Sequence, residues 1–145
     1  NRLAVDLKKA ESLARESYRI WLQLYGNDHQ LLGFSSSLLA TILSSQGNLG
    51  DETKRLHEHA LAISIRNEGP DGLNVGATNV NLGGLHCELA LRQSGADIIK
   101  MHLLLSQGYY NEAVRIYTKV HGSASPKAIQ NRSQLSAVTL QLSMV

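Results

Sequence analysis

The sequence predicts an all-α fold, a row of αα-hairpins wound into a superhelix of about six helices, with one hairpin extended by about ten residues. Three observations carry this. LARESYRIWLQLYG (13–26), LHEHALAISIRNEG (56–69) and YYNEAVRIYTKVHG (109–122) superpose without gaps. Within each, apolar residues fall three and four apart, the stripe of an amphipathic helix. Each closing glycine is followed by a polar connector, NDHQLL (27–32), PDGLNV (70–75) or SASPKA (123–128), and then by a further helical pattern. An ordinary bundle has no reason to repeat a 14-residue segment with matching connectors, whereas a repeat array must.

The columns give the packing. Large residues recur at Leu13, Leu56 and Tyr109, small ones at Ser17, Ala60 and Ala113, and isoleucine at Ile20, Ile63 and Ile116. Gly26, Gly69 and Gly122 suit a left-handed αL residue after a helix end. Ser125-Pro126 is a start signal, a hydroxyl cap before proline in the first turn, and Asp28 and Asp71 are candidate caps for the other two entries. In the helices that follow, Leu39-Ala40, Leu82-Gly83 and Leu135-Ser136 share a register, a large residue before a small one where two backbones approach.

In chain order this predicts the second helix of a partial repeat (3–25), a repeat (31–67), an extended repeat (73–121) and the first helix of a further repeat (126–143). Together they make a single repeat domain over 1–145. The chain opens at Asn1 without an initiator methionine, which reads as a piece of something longer. Gly26 to Gly69 is 43 residues and Gly69 to Gly122 is 53. The added residues are helical on both sides of Ser94-Gly95-Ala96. They lengthen each helix of that hairpin by about five residues, roughly 7 Å, burying Leu89, Leu91, Ile98, Ile99 and Leu103 against one another. Gly108 falls inside the second of these helices, at a cost of ~1 kcal/mol relative to alanine; the helix is expected to continue through it, and a break there would instead give two shorter helices. Tyr18, Trp21 and Leu22 at one end, and Leu135, Val138 and Leu142 at the other, suggest faces that expect company.

A hairpin period near 42, the connector GNDHQ, LATILSSQG (39–47) and KKAESLARESYRI (8–20) resemble tetratricopeptide repeats, in particular the 42-residue form of kinesin light chains and related scaffolds. Ala10-Glu11 and Ala60-Leu61 fall on that family's columns. Gln30 stands where the family has proline, its paired asparagines are represented only by Asn79 and Asn81, and the ten-residue extension is foreign to its standard unit. The resemblance implies a protein-interaction scaffold whose partners lie on a concave face lined by first helices. Counted from the small-residue column, that face takes Phe34, Ser37, Thr41, Ser44 and Ser45 from the first hairpin. The second hairpin offers Ala77, Val80, Asn81, Gly84, Cys87 and Glu88, and the last helix offers Gln130, Ser133, Gln134, Ala137, Leu140 and Gln141. It is small, neutral and rich in hydroxyls and amides, a groove for an extended peptide or a helix; the competing reading is tight packing alone. Of the two lysines, two asparagines and arginine by which tetratricopeptide clamps hold an acidic C-terminus, only one asparagine is matched, by Asn81, and Ser37, Gln130 and Gln134 stand where the cations would be. No clamped acidic C-terminus is therefore expected.

Other functions find no constellation. His57 and His59 point to different faces of one helix, and His86 and Cys87 are adjacent, a poor start for a metal or a nucleophile–base pair. No enzyme, metal or cofactor is expected. A formal charge of +2 with 5% aromatics gives no basic stacking stripe, so no nucleic acid is expected. No apolar run approaches the ~20 residues of a membrane span. A single cysteine, Cys87, favours a reducing compartment and a cytoplasmic location. After Glu112 the charged residues are all basic (Arg115, Lys119, Lys127, Arg132), a weak attraction for an acidic partner. Two functions remain open: an adaptor binding a partner's peptide or helix in the groove, and a structural, self-associating segment of a larger scaffold, with the terminal helices as contacts and homo-oligomers possible.

Overall fold

Glycine and proline set where the helices stop and start. The computed structural model describes residues 1–145 as six helices: α1 (Arg2–Tyr25), α2 (Gln30–Ser45), α3 (Asp51–Glu68), α4 (Leu73–Leu91), α5 (Ala96–His121) and α6 (Pro126–Ser143). There are no strands, and the repeat fold read from the columns is the fold observed. The amides of Gly26, Gly69 and Gly122 donate to the carbonyls of Leu22, Ile65 and Thr118, closing α1, α3 and α5. Their backbones correct the αL expectation. The φ values are positive, but ψ is −164° at Gly26, 176° at Gly69 and 157° at Gly122. This is an extended region essentially reserved for glycine. It sends the chain directly outward into the next connector instead of curling it back over the helix end.

Caps divide along similar lines. The Ser125 hydroxyl accepts from the Ala128 amide, with Pro126 next, as expected. Asp28 and Asp71 do not cap. His29 caps α2 through Nδ1, which accepts from the Leu31 amide at 3.1 Å, and Gly72 opens α4 with no side-chain cap. Both carboxylates are taken by cations from the following hairpin: Asp28 by Arg66, Asp71 by Arg115 and Lys119.

The chain divides into two compact units, Asn1–Gly69 and Pro70–Val145. In the first, α1 packs on α2 and α2 on α3. Ala14, Leu39, Ala40, Leu43 and Leu56 form its core, with Tyr18 and Ile42 packed against it. The α2–α3 hairpin closes tightly because Gly33 offers no Cβ; one placed there would meet Ile63 Cγ2 at 3.0 Å. The buried Ser36 hydroxyl donates to the Leu56 carbonyl at 2.6 Å. Arg15 of α1 reaches both Glu11 and Glu52 at 2.8 Å, clasping α1 to α3.

In the second unit α5 packs on both α4 and α6. Gly76 and Gly83 admit Ile116 and the Tyr110 ring; a Cβ on Gly83 would lie 2.9 Å from that ring. The Ser106 hydroxyl donates to the Gly83 carbonyl at 2.7 Å. Val138, Leu135 and Leu142 of α6 pack into a core with Ala90, Leu103 and Tyr110. They are inward residues, not the waiting face that the sequence suggested, and Tyr18, Trp21 and Leu22 of α1 are likewise at least half-buried.

The extension is shared unequally. In the common register α4 runs three residues beyond α2, whereas α5 starts eight residues before the equivalent of α3. One residue decides where the leading helix ends. Gly47, at φ +81°, ends α2; its equivalent is Ala90, buried and helical, so α4 continues to Leu91. Ile99 and Leu103 pack at the tip, while Leu91 and Ile98 stay exposed. They do not join the predicted cluster, because Arg92–Gly95 turn the chain before α4 can cover them.

α5 is unbroken through Gly108, which is exposed with no atom within 4 Å of where its Cβ would be. Gly108→Ala is therefore expected to stabilise the protein by about 0.4–1 kcal/mol, read as an upward shift of the urea midpoint at unchanged slope. A decrease would mean that the helix needs a flexible point there.

Candidate partner-binding faces

The leading helices α2, α4 and α6 each bury one side against a trailing helix, and each turns another side to solvent. On α2 the outward stripe is Phe34, Leu38, Thr41 and Ser45, all exposed. Phe34 is 48% and Leu38 53% exposed. The Thr41 and Ser45 hydroxyls donate back to the carbonyls of Ser37 and Thr41 at 2.9 and 3.0 Å. Their donors are thus spent within the helix, and what they offer outward is acceptor lone pairs. Ser37 and Ser44 flank the stripe, half-buried.

In the second unit the same columns hold Ala77, Asn81, Gly84 and Glu88 on α4, and Gln130, Gln134, Ala137 and Gln141 on α6. Gln130, Ser133 and Gln134 are exposed and make no side-chain hydrogen bond, leaving their donors and acceptors open. Two of the sequence candidates are turned into packing. Val80 lies against Ala128, Ala113 and Tyr117. Cys87 packs beside Ala90 and Leu103, with its sulfur 3.5 Å from the Ser106 hydroxyl. Leu38, missed in the sequence reading, was legible from its column, since it aligns with Asn81 and Gln134.

Cys87 also borders an open groove of about 330 Å³ in the second unit, lined by Leu91, Ile99 and Leu103 on one side and by Gln141, Met144 and Val145 on the other. No group of three or more histidine, cysteine, aspartate or glutamate side chains is arranged to hold a metal ion. His86 and His102 share a hydrogen bond between their Nδ1 atoms at 3.0 Å across α4 and α5, with Tyr109 stacked on His86. His59 lies within hydrogen-bonding distance of the Tyr18 hydroxyl and the Asn27 carbonyl.

The cations after Glu112 are largely committed within the unit. Arg115 pairs with Asp71 and Glu112, Lys119 with Asp71, Lys127 lies 6.0 Å from the Tyr117 ring centroid, and Arg132 donates to the Ser123 carbonyl. Lys119 and then Arg115 hold the Asp71 carboxyl below its ordinary range. Hydrogen bonds from Arg15 do the same to Glu11 and Glu52.

The structure of BtubC (BKLC) from P. vanneervenii, a kinesin light chain-like tetratricopeptide protein, superposes on this chain with a TM-score of 0.78 at 26% identity. The match covers 97% of this chain. The fold is tetratricopeptide-like. The chain spans half the length of BtubC. No family model and no curated protein matches the sequence. Within the tetratricopeptide-like fold α2, α4 and α6 are the leading helices of their repeats and α1, α3 and α5 the trailing ones. No helix is long and apolar enough to cross a membrane.

Proposed function

We propose that the protein is an interaction scaffold whose leading helices receive a peptide or helix from a protein partner. The observation that carries this reading is the outward stripe on α2, where Phe34 and Leu38 stand about half exposed among hydroxyl acceptors. Large apolar side chains anchor a partner, and surrounding polar groups fix its register. The second unit carries, on its own helix α6, the open amides of Gln130 and Gln134. They favour a neutral partner surface, since no uncommitted cation stands in the stripe to hold a carboxylate.

The test is affinity capture with the intact chain beside a Phe34→Asp/Leu38→Asp variant. Both positions are about half exposed, so folding survives the change, whereas half-buried Ser37 and Asn81 are poorer choices. Recovery of specific partners is expected to fall at least about ten-fold, the equivalent of 1.4 kcal/mol, with an unchanged thermal melt. An identical partner list from both proteins would remove the α2 stripe from the function.

A further inference from the structure

The extended hairpin carries apolar side chains where a hairpin of ordinary length carries none. Along the first turns of α5, Ile98 is 47%, Met101 49%, Leu104 50% and Leu105 40% exposed. Their spacing puts them on one arc of the helix, opposite Ile99 and Leu103, which pack inward. In the shared register Leu104 and Leu105 stand where α3 opens with Asp51 and Glu52. Ile98 and Met101 fall level with Ser45 and Asn48, before α3 has begun. A trailing helix of ordinary length starts level with Leu104, so no packing column of a standard repeat reaches these two side chains. Both helices that pack on α5, α4 and α6, are in place.

Two charges border the arc. Asp97 and Lys100 are exposed and in no ion pair, with each other or with any other residue. At about 100° per residue both fall to the same side of Met101, and Ile98 and Leu105 fall to the other. A twofold axis between two antiparallel copies of α5 keeps each flank beside its own equivalent and reverses the chain direction. With Ile98 opposite Met101 of the second copy, Asp97 of each chain comes within about 3 Å, along the helix axis, of the level of Lys100 in the other. Both ion pairs then form at once. A partner of one charge would meet one attraction and one repulsion on this flank, whereas a second copy meets two attractions.

We propose that the protein self-associates through this arc, α5 antiparallel to α5 about a twofold axis. Ile98 and Met101 form the apolar centre, reciprocal Asp97–Lys100 pairs line one flank, and Leu104 and Leu105 extend the contact toward the 92–95 turn of the other copy. Two turns of helix make a contact smaller than that of a permanent dimer, so the expected dissociation constant is on the order of 100 µM.

Sedimentation equilibrium of the intact chain, from about 10 µM to about 1 mM, is expected to show monomer and dimer in exchange. Ile98→Glu/Met101→Glu should weaken the dimer at least about ten-fold with an unchanged melt, because both side chains are half exposed. Asp97→Lys and Lys100→Asp should each weaken it several-fold, more at low salt than at high. The double swap Asp97→Lys/Lys100→Asp, at unchanged net charge, should associate as the parent does. It carries the same loss of an acid from the first turn of α5 as Asp97→Lys, so an effect on the helix alone would persist in it. The two single variants, mixed, should pair with each other for the same reason.

A monomer throughout the range, or a dimer that survives Ile98→Glu/Met101→Glu, would overturn the proposal. A double swap that associates no better than the single variants would overturn it too, because the twofold pairing requires the rescue. Phe34→Asp/Leu38→Asp leaves this arc untouched and should dimerise as the parent does, so failure of the α2-stripe reading and failure of this one are separable.

Discussion

Ile116→Ala is expected to destabilise the protein by about 2–5 kcal/mol, lowering the melting temperature of a chain this size by on the order of 10 °C. Ile116 is fully buried, and its Cγ2 lies 3.2 Å from where a Cβ on Gly76 would be. Truncation there removes apolar area and leaves a void beside a glycine, which has no side chain to move into it. Ile63→Ala should cost about as much, because Gly33 stands over it in the same way. Ile20 is 39% exposed, so Ile20→Ala should cost about 0.5 kcal/mol or less, as surface changes usually do. Urea denaturation of the three variants checks the series. Equal losses at all three positions would mean that α1 is covered as the other trailing helices are, and a small loss at Ile116 would mean that the α4–α5 hairpin is loosely closed.

Acid should weaken the fold through His57. The ring is 3% exposed, its Nδ1 has no hydrogen-bond partner, and burial pushes its pKa down from 6.5 to about 4. The sign follows from which state takes up the proton. Between pH 6.5 and 4 the unfolded chain protonates this imidazole and the folded one does not, so unfolding is favoured as pH falls through that window. The stabilisation relative to protonated His57 is complete above the window and is lost by about 3 kcal/mol on reaching its lower end. The carboxylates of Glu11, Glu52 and Asp71 are held low by their arginine and lysine partners, and their losses come at lower pH. His57→Leu, close in volume and with no hydrogen bond at Nδ1 to break, should flatten the stability profile between pH 7 and pH 4. Parallel profiles for parent and variant would show that His57 is hydrated.

What the sequence made legible was whatever repeats. Three aligned segments fix three helices, their glycines and their isoleucines, and the register then locates each packing glycine in the leading helices. Whatever depends on contacts between distant residues escaped. Asp28 and Asp71 look like caps locally, but Arg66 lies 38 residues after the first and Arg115 lies 44 after the second. Val80 and Cys87 have the spacing of face residues, yet α6 and Ser106 draw them inward. Leu135, Val138 and Leu142 are apolar with no visible partner in the linear pattern, and only the fold brings Ala90 and Leu103 to them. For the candidate face, the column rule recovers Leu38 where inspection of α2 alone did not.

The exchange of Gly47 for Ala90 gives the two hairpins unlike tips. At Gly26, Gly69 and Gly122 the backbone geometry admits only a residue without a side chain. At the α4–α5 tip an alanine in place of that glycine lets α4 run on, and ten added residues are accommodated with the isoleucine and glycine columns undisturbed. Added residues are therefore expected to be tolerated at the 92–95 tip and not at the glycine joints. An engineer wishing to display a foreign loop would choose the turn at 92–95 for the same reason.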